Sequence, residues 1–209
     1  MFLEKIVIGQ LEANCYVFGD DKTGEVVVID PGGDAVEIIE VIESNKLRIM
    51  AIINTHGHID HTFGNKVLKE YSKSPLLIHG DDSRMLTSSF HNLSDYLGYE
   101  ISVIPPDKIL EDNEIIKIGS FELKVVHTPG HTQGSISLEC VGKEILFTGD
   151  TLFAGGIGRT DLPGGDGEKI IYSINKRLLV YPDNTIIYPG HGPSSTIEKE
   201  KKYNPYLKS

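Results

Sequence analysis

Two cysteines in 209 residues, Cys15 and Cys140, cannot make the disulfide framework of a small secreted domain. Both lie in apolar strand-like runs and read as packing residues. Basic residues are also scarce: 20 Lys and Arg stand against 30 Asp and Glu, a formal net charge of −10. Phosphate backbones and anionic lipid surfaces both need a dense cationic face, so neither a nucleic acid nor a membrane is an expected partner. No apolar run approaches the roughly eighteen residues of a membrane span. The opening MFLEKIVIGQ lacks the basic and long apolar segments of a secretion signal, so the expected location is the cytoplasm. No linker-like composition divides the chain, and residues 1–209 read as one domain.

What is present is an ordinary globular composition, 39% hydrophobic and 24% charged, enough for one substantial core. FLEKIVIG, NCYVFG and EVVVID carry strand patterns. The last stops at Pro31-Gly32-Gly33, after which Asp34 is placed to cap a helix with Glu37 as its partner three residues on. RIMAIINT reads as a buried strand, Gly64 to Tyr71 as a helix and PLLIHG as a further strand. From Ser88 to Pro106 the periodicity fades into an extended loop with some helix. IIKIG, FELKVVHT, GSISLECV and KEILFTGD are four strands at hairpin spacing, followed by the aperiodic AGGIGRTDLPGGDG. A helix near Glu168 to Leu179 and the strand TIIYPG close the body. Strands then helices, twice over, suggest two similar halves.

Three of the eight histidines fall within NTHGHIDH, residues 54–61, directly after a buried strand. Burying such a cluster is costly unless the rings find partners. Imidazole with carboxylate suits zinc, iron or manganese, and such ligands converge from several loops at one end of a scaffold. HTPGHT with His131, FTGDTLF with Asp150 and YPGHG with His191 are loops of that kind. Each follows apolar strand residues and lies beside glycine, where the backbone can turn sharply. One metal needs three or four donors, so the set His56, His58, Asp60, His61, His131, Asp150 and His191 suggests two metals. His56 and His58, two apart on an extended segment, can face the same way, with Asp60 in phase and His61 directed to a neighbouring site. Water at a single zinc already has a pKa of about 7, so no serine or cysteine nucleophile is required.

THGHIDH is similar to the H-x-H-x-D-H signature of the metallo-β-lactamase superfamily, and His131, Asp150 and His191 follow in the order that superfamily uses for its remaining ligands. The resemblance spans the whole chain. NCY, DPGG, HTPGHTQGS, GDTLF, GRTDLPGGD and KYNPYL look most like single-domain glyoxalase II-type hydrolases. It implies an α/β fold, the αββα four-layer sandwich, with a dinuclear centre at one edge. By position, His56, His58 and His131 would hold the first metal, Asp60, His61 and His191 the second, and Asp150 would bridge both. The implied cofactors are two divalent ions, zinc first, with iron and manganese accepted by the same donors. The implied activity is hydrolysis of a small-molecule thioester of the 2-hydroxyacyl-glutathione type by a metal-bridging hydroxide, which Asp60 also orients. The number of subunits is left open.

Around these donors, Asp30 of DPGG is expected either to cap the following turn or to support the metals from behind. His127 reads as a supporting or structural histidine, and Arg159 with Asp161 as holders of the glycine-rich loop or as substrate contacts. His79 and His91 have no partner motif and read as structural. GGIGRT is followed by no G-K-[ST] and is not a phosphate loop.

Related families separate by residue. Two-domain glyoxalase II enzymes continue into a helical domain that contacts glutathione, and too few residues follow His191 for one, so those contacts are expected to be missing. Some metallo-β-lactamases carry a cysteine at the Asp150 position, which points away from antibiotic hydrolysis. Flavodiiron oxygen reductases need a glutamate at the His58 position, and the superfamily's nucleases need added elements that this length and acidity do not accommodate. Persulfide dioxygenases share a GRTD segment and bind one iron through two histidines and an aspartate, here His56, His131 and Asp150; theirs is the alternative activity. A metal-stabilised binding module without catalysis is the third possibility.

Overall fold

Apolar alternation decides the layering. In the strand Ala13–Asp20 (β2), Tyr16 and Phe18 face one way and Cys15 and Val17 the other, and all four are buried. A strand covered on both faces must lie between two other layers. The computed structural model describes residues 1–98 and 104–207.

The first sheet runs β1 (Phe2–Ile8), β2, β3 (Glu25–Ile29), β4 (Arg48–Ile53), β5 (Leu76–His79) and β6 (Lys108–Leu110). Its first three strands are antiparallel and β3 to β6 are parallel. In the second sheet β7 (Ile115–Ile118), β8 (Phe121–His127), β9 (Ile136–Cys140) and β10 (Ile145–Gly149) form an antiparallel meander. A small hairpin, β11 (Leu152–Phe153) with β12 (Gly156–Ile157), stands apart. β13 (Ile186–Pro189) joins β10 in parallel, and β14 (Ser195–Thr196) closes the edge. Each half of the chain thus supplies one six-stranded sheet.

Between the sheets pack Phe18, Ile53, Leu77, Leu123, Leu138 and Phe147. Each such buried side chain is worth about 1.5–3 kcal/mol. Helix α1 (Val36–Ser44) covers the outer face of the first sheet through Ile38 and Ile42, and beyond the single turn α2 (Ile59–Thr62), α3 (Asn65–Ser72) adds Leu68. A second single turn, α4 (Ser94–Leu97), lies in the middle segment. Helix α5 (Gly167–Ser173), the π-helical turn Ile174–Leu178 and α6 (Ile197–Tyr203) cover the second sheet through Ile170, Ile174 and Ile197. The result is the expected αββα sandwich. Among the described residues no helix is long and apolar enough to cross a membrane.

Local departures have local causes. Asp34 does not cap α1: its carboxylate accepts the Val36 N–H at 3.1 Å, turning the chain one step earlier, and Ala35 occupies the cap position. The helix expected near 168–179 is capped by Asp166, which accepts the Glu168 and Lys169 N–H groups, and widens into the π-helical turn. Asp60 is not on an extended segment; His58 is extended, but α2 starts immediately after it. Of the loop expected over 88–106, α4 belongs to the described residues and 99–103 lie outside them.

What matters for function is strand polarity. The parallel strands β3, β4 and β5 deliver their C-terminal ends to one edge of the first sheet, and β8, β10 and β13, which run the same way as one another, do so in the second.

Candidate metal centre

Every expected donor lies just past one of these strand ends. β4 runs into His56 and His58, α2 carries Asp60 and His61, β8 leads to His131, β10 to Asp150 and β13 to His191. His56, His58 and His131 form one buried group and Asp60, His61 and His191 a second. Asp150 stands between them. Its Oδ2 is 3.6 Å from His131 Nε2 and 3.7 Å from His191 Nε2, and its Oδ1 is 3.5 Å from His61 Nε2.

These spacings fit metal ions. Two nitrogens bound tetrahedrally to one zinc stand about 3.3 Å apart, given bonds of about 2.0–2.1 Å. His58 Nδ1 lies 3.0 Å from His131 Nε2, His61 Nε2 lies 3.2 Å from His191 Nε2, and His191 Nε2 lies 3.3 Å from Asp60 Oδ2. His56 Nε2, His58 Nε2 and Asp150 Oδ1 are buried without a hydrogen-bond partner. Buried polar atoms are otherwise hydrogen-bonded, so the orphans and the facing lone pairs describe places for a cation.

The far nitrogens of His61 and His131 are spoken for, which leaves Nε2 of each as the ligating atom. His61 Nδ1 meets Asp30 Oδ2 at 3.2 Å, and His131 Nδ1 meets the Arg159 carbonyl at 2.8 Å. Asp30 also accepts the Thr55 N–H at 2.7 Å and the Thr55 hydroxyl at 2.6 Å. Its carboxylate therefore braces the donors from behind rather than capping the turn after it, an arrangement that fixes tautomer and ring orientation.

Several braces have roles that only the fold shows. Asn14 donates to the carbonyls of Pro189 and Gly192, and Tyr16 to that of Pro189, holding the His191 loop from both sides. Asn54 donates to the His61 carbonyl and pairs with Asn65. Asp82, buried just beyond β5, accepts from the Gly57 N–H at 3.1 Å, the Thr132 hydroxyl at 2.6 Å and the Gly134 N–H at 2.7 Å. It ties the loop of His56 and His58 to the loop of His131. Asp82→Ala is expected to cost about 10- to 100-fold in metal affinity, the usual range for supporting partners. Competition with a chelating dye measures it; unchanged affinity in a folded variant would rule out the brace.

His127 lies away from the donors. Its Nε2 meets the Gln133 carbonyl at 2.9 Å, and its ring stacks on His79 with centroids 4.1 Å apart. His79 has in His127 the partner that no motif announced, and Asp81 Oδ2 lies 3.8 Å from His79 Nδ1. His91 bonds Ser88. Arg159 pairs with Asp161 through two bonds of 2.8 and 2.7 Å, both residues being exposed.

Charge is unevenly spread. Burial and the neighbouring rings hold His56 well below the usual histidine range, and burial with His131 pushes His58 down to about 3. Burial opposes charging His61 as well, but the Asp150 and Asp60 carboxylates outweigh it and raise the ring to about 10. The acidic half of the centre thus draws positive charge, which a bound cation would supply. For metal-stripped protein the sign of the pH dependence follows. Unfolding restores His56 and His58 to about 6.5, so the unfolded chain binds more protons in acid and stability falls as pH falls. Nearer pH 7 the raised His61 and His191 oppose this trend, but below about pH 6 both are largely protonated in folded and unfolded chains alike and add little. Stability is expected to drop by up to about 1.4 kcal/mol per lowered histidine per pH unit below about pH 6. Urea melts of stripped protein at about pH 6, 5.5 and 5 test this; equal midpoints would contradict it.

The centre opens into a cavity of about 770 Å³, lined by His58, Asp60, His131, Asp150 and His191 at its floor. Its described lining contains no serine, threonine, cysteine or lysine.

Comparison with known proteins gives a consistent picture. Residues 8–191 match the family model of the metallo-β-lactamase superfamily. The hydroxyacylglutathione hydrolase GloC of Haemophilus influenzae is 37% identical over 211 residues, covering 100% of this chain and 99% of its own. The crystal structure of the BLEG-1 B3 metallo-β-lactamase superposes with a TM-score of 0.95 at 37% identity, covering 100% of both chains. TTHA1623 in a di-iron-bound form gives a TM-score of 0.87 at 32% identity, covering 98% of this chain and 100% of its own.

Proposed function

The chain belongs to the metallo-β-lactamase superfamily, and from that premise we propose that it hydrolyses an acyl thioester at a centre for two divalent metals. The observation that carries this is Asp150 placed between two complete donor groups. His56, His58 and His131 would hold one ion, Asp60, His61 and His191 the other, and Asp150 both. Zinc is the first choice for such donors, with iron and manganese suited to the same set. When bound, the pair supplies an acidified water and Lewis-acid polarisation of the carbonyl.

The chain's own residues complete the chemistry. A lining without serine, threonine, cysteine or lysine leaves water as the nucleophile. Outside the donors the one hydroxyl in the described lining is Tyr96, 70% exposed at the mouth, so no buried acid stands ready for a poor leaving group. A thiolate needs none. Asp60, lining the cavity beside His191, accepts a hydrogen bond from the attacking water and fixes its direction. Asp60→Asn is expected to lower kcat by about 10²-fold, beyond any loss of metal, on the scale of a misdirected reactant. Parallel measurement of rate and metal content checks this; equal losses in both would remove the role.

The likeness to GloC supports a 2-hydroxyacyl thioester of a small thiol as the first compound to assay. The likeness to a B3 metallo-β-lactamase reopens β-lactam hydrolysis as a second reading, which the absence of a cysteine ligand had pointed away from. The deciding experiment follows thiol release from S-D-lactoylglutathione and from neutral acyl thioesters by metal-loaded and chelator-stripped protein. A chromogenic cephalosporin and oxygen uptake on glutathione persulfide run beside them. Metal-dependent thiol release is expected; cephalosporin opening or oxygen uptake in its place would overturn the proposal.

A further inference from the structure

The walls of the cavity differ in character from its floor. Beside the donors the lining includes Leu11, Leu93, Leu97, Phe153, Ile157 and Leu162, with Tyr96. Leu11, Tyr96 and Leu97 are 44%, 70% and 38% exposed. The volume of about 770 Å³ lies inside the roughly 300–1,000 Å³ of small-molecule sites, whose polar groups are few and convergent.

Charge narrows the occupant. Apart from the metal donors, the described lining carries one charged side chain, Arg159, and Asp161 already engages its guanidinium in two hydrogen bonds. Residues 99–103, Tyr-Glu-Ile-Ser-Val, add no basic residue to the sequence nearby. None of the described residues after His191 lines the cavity. A glutathione conjugate presents two carboxylates and an ammonium, and recognition of such groups calls for charge-assisted hydrogen bonds that these walls do not offer. The chain's net charge of −10 works against an anionic carrier as well.

We propose that the cavity binds an uncharged, apolar acyl chain, so that the substrate is a thioester of an aliphatic acid rather than a conjugate recognised through a charged thiol. This rests on the thioester reading above and specifies it. The acyl group is the half held inside, because the departing thiolate must reach water through the open mouth. Hydrolysis adds water across the C–S bond: oxygen joins the acyl carbon, the sulfur leaves with the electron pair and takes a proton from solvent, and no oxidant is needed.

The test uses metal-loaded protein and N-acetylcysteamine thioesters from acetyl to octanoyl, whose carrier is neutral. kcat/KM is expected to rise two- to fourfold per methylene over the first few carbons, up to about 0.8 kcal/mol each. The matched thioethers, which cannot be hydrolysed, should bind with the same trend by calorimetry. Leu97→Asp should lower kcat/KM for the octanoyl ester at least tenfold more than for the acetyl ester. A flat acyl series, or a chain-length effect seen only in acetyl esters of longer alkanethiols, overturns the proposal. A length trend in thioether binding with no thioester cleaved would leave the apolar site standing and sink the thioesterase reading alone.

Discussion

Asp150→Ala should abolish turnover, by three orders of magnitude or more, and release both metals while the chain stays folded. The carboxylate stands within 3.5–3.7 Å of nitrogens from both donor groups, so its removal leaves each group short of the anion they share. Losing the Lewis-acid contribution alone is worth several kcal/mol, and about 1.4 kcal/mol is a factor of ten in rate. The metal-free fold should survive, but the stability that bound metal confers is lost, and with it the pairing of Asp150 Oδ1 with the His61 ring at 3.5 Å. Metal analysis, thiol release and a melting curve on one preparation check the three parts. A variant that keeps two metals, or that keeps its rate, contradicts the bridging position.

The second large effect comes from a residue with no side chain. Gly190 follows β13, and a Cβ there would overlap Asp150 Oδ1 and meet His61 Cε1 at 2.8 Å. Gly190→Ala should therefore displace two donors without removing either. Overpacking of this kind costs about 1–3 kcal/mol in stability, and displacement of a reacting group by about 1 Å can cost 10²-fold in rate. Gly192, on the other side of His191, gives the control. Its φ is +75° and a Cβ would meet nothing within 4 Å, so Gly192→Ala carries only backbone strain of about 1–2 kcal/mol. Loss of metal and of at least 100-fold in kcat/KM from Gly190→Ala, with both largely kept in Gly192→Ala, is the expected pair of results. Equal behaviour of the two variants would show that close packing of the donors is not what Gly190 serves.

The candidate donors were legible as a set because His56, His58, His131, Asp150 and His191 each sit beside glycine after an apolar run, and that junction is visible in one dimension. Strand runs such as EVVVID and RIMAIINT were legible for the same reason: burial on both faces leaves an unbroken apolar word. Asp82 was not, although it too lies just past a strand, because its meaning comes from Gly57 and Gly134, far away in sequence. Asn14 and Tyr16 appeared only as part of a motif, and their hold on Pro189 needed the fold. The turn α2 and strands β6, β11, β12 and β14 are too short to show a period. That is why Asp60 was expected on extended backbone and is found in a helical turn. Asp34 had the spacing of a cap, but the turn after Pro31 spends its carboxylate on Val36 instead. The four-layer order came from the family resemblance, and the structure bears it out in β2, whose two faces feed different cores.

The most direct measurement is a zinc titration of stripped protein, following thiol release from octanoyl-N-acetylcysteamine and S-D-lactoylglutathione at each addition. A two-metal thioester hydrolase predicts little activity at the first equivalent and saturation at the second, lost again on chelation. Full activity at one equivalent, or no thiol release at any loading, would contradict it.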